Sequence, residues 1–204
     1  MVGIWRAATG DPRAILDEWI ALACEESTVE ALVISTSVDE RDAAHCDVLI
    51  ALGLTRAHDL DDIPARDLLY KEAREVEVWR VEPHRPITST DATEIKRVFF
   101  VHRRDDLTHE QFVRHWTEVH APLAREHHPG IADYTQNVVR RAYTPGGANI
   151  DGIAELRYRT RADLETRRYD SEAGKAIIRA DVAEFIGLSG LRTTFMHERK
   201  IKGS

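Results

Sequence analysis

The hydrophobic period of the chain switches several times between that of a strand and that of a helix. Val2–Arg6 is a brief apolar run. Asp11-Pro12 opens a helix, with an acid at the cap and proline at the first helical position. That helix runs to about Glu25 and carries Ile15, Leu16, Trp19, Ile20, Leu22 and Ala23. β-Branched residues cluster in Val29–Val38, which predicts a strand, and Cys46–Leu54 predicts a second. Asp59–Tyr70 reads as a short helix with acids in its first turn and Pro64 as a weak point. In Glu75–Glu82, Val76, Val78, Trp79 and Val81 stand among charged neighbours, as in a half-buried strand. The predicted order is β-α-β-β-α-β.

The second half predicts the same order. Ile95–Arg103 is a strand, and Thr108-His109-Glu110-Gln111 is a capping box that starts a helix ending near Pro122 or a few residues later. His128-Pro129-Gly130 is a turn and Ile131–Arg141 a long strand. Thr144-Pro145-Gly146-Gly147 is loop punctuation. Ile153–Tyr158 is a strand, Ser171–Phe185 a helix burying Ile177, Ala180 and Phe185, and Leu191–Ile201 the closing strand.

Fixed offsets tie the halves together. Arg6 and Arg103 are 97 residues apart, as are Trp19 and Trp116; Trp79 and Phe195 are 116 apart, as are Glu82 and Glu198. The added length falls around Pro145-Gly146-Gly147 and Arg159–Arg168. A fixed offset held within each element points to a tandem duplication. The boundary falls in His84–Glu94, giving a first repeat at 1–86, a linker at 87–94 and a second repeat at 95–204. Each repeat is a split β-α-β unit, the ferredoxin-like arrangement. Its helices cover one sheet face, and the other apolar face needs a cover too. Two such sheets packed on each other make an α+β barrel, and a chain with two repeats can close one internally.

At 204 residues there is chain enough for a substantial core. Apolar residues are 43% and charged residues 31%, as in soluble globular proteins. A net charge of −7 argues against a broad nucleic-acid surface. No apolar stretch is long enough for a membrane span, and the start lacks a signal-peptide pattern, so the expected setting is the cytoplasm. Cys24 and Cys46 cannot build a disulfide framework.

The runs Lys96-Arg97-Val98-Phe99-Phe100-Val101-His102-Arg103-Arg104, Leu107-Thr108-His109-Glu110-Gln111-Phe112, His115-Trp116-Thr117-Glu118-Val119-His120-Ala121-Pro122-Leu123-Ala124 and Tyr134-Thr135-Gln136-Asn137 resemble the EthD family of the dimeric α+β barrel superfamily. The ending Phe195-Met196-His197-Glu198 resembles its closing strand. The resemblance covers residues 95–201. In the first repeat Ala23 stands where the second has His120, so family chemistry would be carried by the second repeat alone. The resemblance implies the α+β fold. It leaves activity open among the polyketide cyclases and decarboxylases, cofactor-free monooxygenases and haem-handling enzymes of the superfamily.

Residue chemistry narrows this. Phe112, Trp116, Val119 and Leu123 form one α-helical stripe, and His120 lies about 40° from Trp116, at its edge. A histidine there can exchange a proton near neutral pH, or it can simply pack and bond to backbone. His115 and His120, five residues apart, do not share an α-helical face, so His115 is expected to face solvent. His109 and His127-His128 read as surface. On the strand from Ile131, Tyr134, Gln136 and Val138 share one side, and Asp133, Thr135 and Asn137 the other. Tyr134 can stabilise an oxyanion, and Gln136 or Asn137 can orient a carbonyl. His102 and His197 share strand sides with apolar residues and are candidate pocket groups. Arg103 either holds an anionic substrate or pairs with Asp105 or Asp106. No spacing suits a metal site, a phosphate loop or a nucleophile elbow.

The expectation is a small-molecule enzyme without metal or cofactor. His120 and Tyr134 would be catalytic, and Phe112, Trp116, Gln136, Asn137, His102, His197 and Arg103 would line the substrate site. It would cyclise, tautomerise or decarboxylate an apolar carbonyl, aromatic or polyketide-like compound. The alternatives are an oxidoreductase and a non-catalytic binder of hydrophobic ligands. Neither nucleic acid nor membrane is an expected partner, and a homodimer is possible but not required.

Overall fold

The structure, a computed structural model, describes residues 2–7, 12–38, 48–54, 63–64, 67–68, 73–147, 149–189 and 191–203. The Asp11 cap, Cys46 and most of the helix expected over Asp59–Tyr70 lie outside these residues. Eight strands are described: β1 Val2–Ala7, β2 Val29–Ser37, β3 Val48–Leu54, β4 Ala73–Ile87, β5 Ile95–Val101, β6 Ile131–Ala142, β7 Gly152–Tyr158 and β8 Arg192–Lys202. Ile87, expected to start the linker, is the last residue of β4. No helix among the described residues is long and apolar enough to cross a membrane.

The chain divides into two compact units, 1–81 with 141–148 and 197–204, and 82–140 with 149–196. In the first, antiparallel pairs set the strand order β4-β1-β3-β2. Helix α1, Pro12–Glu25, presents Leu16, Trp19 and Ala23 to a core that includes Leu32, Ile34, Ile50, Leu52 and Val78. Trp19 is fully buried and donates its indole N–H to the Pro64 carbonyl at 2.8 Å.

The second unit repeats that order as β8-β5-β7-β6, again antiparallel. Two sheets with identical strand order are what tandem ferredoxin-like repeats require, and the fold class is α+β. Helix α2 opens at the expected capping box: the Thr108 hydroxyl accepts from the Gln111 N–H, and the Gln111 side chain accepts from the Thr108 N–H. It runs as His109–Arg114, a wider π-helical turn at His115–His120, and Ala121–His127. Arg161–Thr166 is the short α3, and Glu172–Phe185 is α4, capped by Ser171.

Pro122 supplies one cause of the π turn. Pro122 has no N–H, and in α winding its ring crowds the carbonyl of residue 118. Widening the turn relieves the clash, and the Ala121 N–H bonds instead to the Trp116 carbonyl five residues back. The extra residue per turn shifts the buried stripe. An α-helix buries Phe112, Trp116, Val119 and Leu123; here Val119 is 45% exposed, and Phe112, Trp116, His120, Ala121 and Ala124 are buried. α4 also buries a different stripe from the expected one. Gly174, Ile178, Asp181 and Phe185 face inward, while Ile177 and Ala180 are exposed.

Candidate active site

Between α2, α4 and the sheet of the second unit lies a cavity of about 470 Å³. Its walls include Phe99 of β5, Trp116, His120 and Ala124 of α2, Tyr134 of β6, Leu156 and Tyr158 of β7, and Ile178 and Val182 of α4. A volume of this size suits a small organic molecule.

The π turn sets the chemistry. With a bond from residue i+5 back to residue i, His115 and His120 come to the same side of α2, which corrects the expectation that five residues would separate them. The buried Asp181 of α4 meets both. His120 donates from Nδ1 to Asp181 Oδ2 at 2.7 Å, and His115 donates from Nε2 to Asp181 Oδ1 at 2.8 Å. His115 is therefore only partly exposed, and its ring stacks on Phe185 with centroids 4.7 Å apart. An ionised carboxylate only accepts, so the bond fixes the His120 tautomer and leaves Nε2 as the basic nitrogen. Burial alone would push the Asp181 carboxyl up, but the hydrogen bonds and charges of the two histidines outweigh it and hold the group below the ordinary carboxylate range.

Tyr134 is held by a second network. Its oxygen accepts from Trp116 Nε1 at 3.0 Å and from Gln136 Nε2 at 3.2 Å. Both lone pairs are then engaged, and the phenolic proton is left to donate. Burial pushes the phenol up to about 12, so it stays protonated at neutral pH. Gln136 is itself held. Its Nε2 also donates to the Trp116 carbonyl at 2.9 Å, and its Oε1 accepts from His84 Nδ1 at 2.7 Å. His120 and Tyr134 meet edge to face, 6.5 Å between centroids.

The other expected site residues take different places. Phe112 packs behind the wall against Trp116 and Phe185. Asn137 points to the opposite sheet face, where it donates to Glu155 at 2.7 Å in a network with the buried Lys96 and with Arg157. His102 lies beside Gly187, outside the cavity wall. His197 is exposed, because β8 buries Thr194 and Met196 instead of the side it shares with Phe195. Arg103 pairs with Asp151, not with Asp105 or Asp106, and His109 joins the same carboxylate at 2.9 Å. His127 and His128, expected at the surface, are buried. His127 bonds Asp170 at 3.1 Å. His128 lines the cavity, donates from Nδ1 to the Arg168 carbonyl, and is lowered below the usual histidine range chiefly by burial.

Sequence reasoning missed Asp181, His115 and His128. A signal for Asp181 existed: it sits at i, i+4, i+7 and i+11 spacing with Gly174, Ile178 and Phe185, and a carboxylate in a buried stripe needs a partner.

Comparison with solved structures shows the fold over nearly the whole chain. An anthrone oxidase-like protein aligns with a TM-score of 0.67 and 12% identity, over 98% of this chain and 92% of that one. A candidate monooxygenase from Lactobacillus acidophilus NCFM aligns at 0.57 and 12% identity, over 97% and 91%. An EthD family protein from Bacillus halodurans C-125 is 22% identical over 50% of this chain and 95% of that one, with a TM-score of 0.39. The comparison with curated proteins found no match. The EthD domain model matches residues 104–189, a span that holds the π turn, Tyr134 and Asp181. Over residues 104–189 the second repeat is thus similar to the EthD domain.

Proposed function

We propose that the second repeat is an acid–base catalyst for a small, mostly apolar carbonyl or aromatic compound. His120 Nε2 removes a proton from a carbon beside the carbonyl, and the Tyr134 hydroxyl donates to the oxyanion that forms. Asp181 stabilises the imidazolium and fixes its orientation. The observation that carries this reading is the pairing of His120 with Asp181 on a cavity wall shared with Tyr134. Returning the proton to another atom of the enolate gives tautomerisation; attack of the carbanion on a second carbonyl gives cyclisation.

A second outcome from the same carbanion is favoured by the whole-chain likeness to an anthrone oxidase-like protein and a candidate monooxygenase. There the carbanion reacts with dioxygen. The CH2 group becomes C=O, one oxygen atom enters the product, and the other leaves as water.

Anthrone in deuterated buffer tests both. The expected result is enzyme-dependent exchange of its central CH2 protons, read by NMR, with His120→Ala slower by about 10²–10⁴-fold. Exchange unaffected by His120→Ala would overturn the reading. Oxygen uptake matching substrate loss selects the oxidative outcome; exchange without uptake selects isomerisation.

A further inference from the structure

We infer that the substrate of this cavity carries an anionic group, a carboxylate or an ionised phenol or enol, gripped at the rim by Arg168 and Arg179. The inference rests on the reading of the cavity as a substrate site and names the class of molecule it takes.

The chain is acidic, with 35 carboxylate side chains against 28 basic ones. The cavity inverts that balance. Arg97, Arg168, Arg179, His120 and His128 line it, and no Asp or Glu does among the described residues. Arg168 and Arg179 are exposed as well as lining, which puts them at the rim. Neither has a carboxylate partner among the described residues. An uncompensated pair of guanidinium groups beside an apolar wall is a poor way to cover a cavity and a good way to hold a planar anion.

Arg168 does not sit on a free loop. The turn after α2 and the segment after α3 are clamped together. The Gly130 N–H donates to the Arg167 carbonyl at 2.9 Å, His128 donates to the Arg168 carbonyl, and the Asp170 N–H donates to the His127 carbonyl at 3.1 Å. The approach is close enough that a Cβ at Gly130 would lie 2.6 Å from the Asp163 carbonyl oxygen. The Arg168 guanidinium then lies 5.2 Å from the centroid of the Tyr169 ring, which packs on His128 at 4.9 Å. An aromatic face orients a guanidinium without neutralising it. The longer connection between β7 and β8, residues 159–191, supplies Arg168 and Arg179; its counterpart between β3 and β4 spans only 55–72.

Fluorescence titration with anthracene-9-carboxylate and the neutral 9-(hydroxymethyl)anthracene tests this. The carboxylate is expected to bind wild-type protein at least about tenfold more tightly, with the preference weakening at high salt. In Arg168→Gln/Arg179→Gln the two probes should bind within about twofold of each other, while the unfolding temperature stays near wild type. Equal affinities in wild type, or a preference that survives the double substitution, would overturn the inference. Binding of neither probe overturns it together with the aromatic-substrate reading. If exchange on anthrone depends on His120 but no charge preference appears, only the anion grip is lost. A charge preference with exchange indifferent to His120 keeps the grip and removes the acid–base reading.

Discussion

At the scale of single residues, the site depends on one carboxylate doing two jobs. Asp181 accepts from His115 and His120 at once, which an asparagine cannot reproduce, since its amide has a single acceptor oxygen. Asp181→Asn should slow deuterium exchange on anthrone by about 100-fold. It should also change the response to acid. The Asp181 carboxyl is held below its ordinary value, so its contribution to stability is present above the unfolded-chain value and is lost as pH falls through the folded one. The stability gap between wild type and Asp181→Asn, measured by urea unfolding, should therefore close below about pH 4. His128 carries a second dependence. Burial lowers it, so the unfolded chain binds a proton that the folded chain refuses. Stability from the neutral ring is full above about pH 6.5 and drains as pH drops towards the folded value. The advantage of wild type over His128→Asn, followed by thermal unfolding, should shrink between pH 7.5 and 5.5. None of these partnerships could be read from spacing alone, because Asp181 lies 61 residues from His120 and only packing brings them together.

At the scale of elements, the π turn of α2 decides which side chains meet. The capping box at Thr108 was legible because its two hydrogen bonds are local. The stripe was not, because α periodicity does not continue through Pro122. A proline inside a helical pattern carried the clue, yet whether the chain ends, kinks or widens there depends on what the next turn can pack against. Trp116 is pinned on both sides. Its N–H goes to Tyr134, and its ring lies so close to Gly152 at the start of β7 that a Cβ there would overlap it. Gly152→Ala should cost about 1–3 kcal/mol of stability. It should also lower exchange activity by displacing Trp116 from the Tyr134 oxygen; an unchanged unfolding free energy would show that the ring can step aside. β8 gave the opposite lesson. Its extent was read to within a residue, but its inward side was not, because a strand with apolar residues on both sides does not announce which will be covered.

At the scale of the whole molecule, the two units share one strand order, and the proposed acid–base pair belongs to the second. Trp19 and Trp116 hold equivalent places and both donate their indole N–H groups, the first to a backbone carbonyl and the second to the tyrosine of the site. Trp19→Phe should cost about 2 kcal/mol through the lost hydrogen bond and packing, lowering Tm by about 4–8 °C. It should leave exchange per folded molecule within about twofold of wild type, since Trp19 belongs to the unit without the histidine. The duplication was readable because offsets of 97 and 116 survive wherever a buried indole or a strand end fixes chain length. Sequence by itself determined the strands, the repeat and the side chains able to move a proton, all of which follow from periodicity and residue chemistry. Tertiary structure decided which of those side chains face one another. A carboxylate between two imidazoles, a phenol with both lone pairs filled and a rim of arginines are relations between distant elements, and only the packing of α2 and α4 on their sheet creates them.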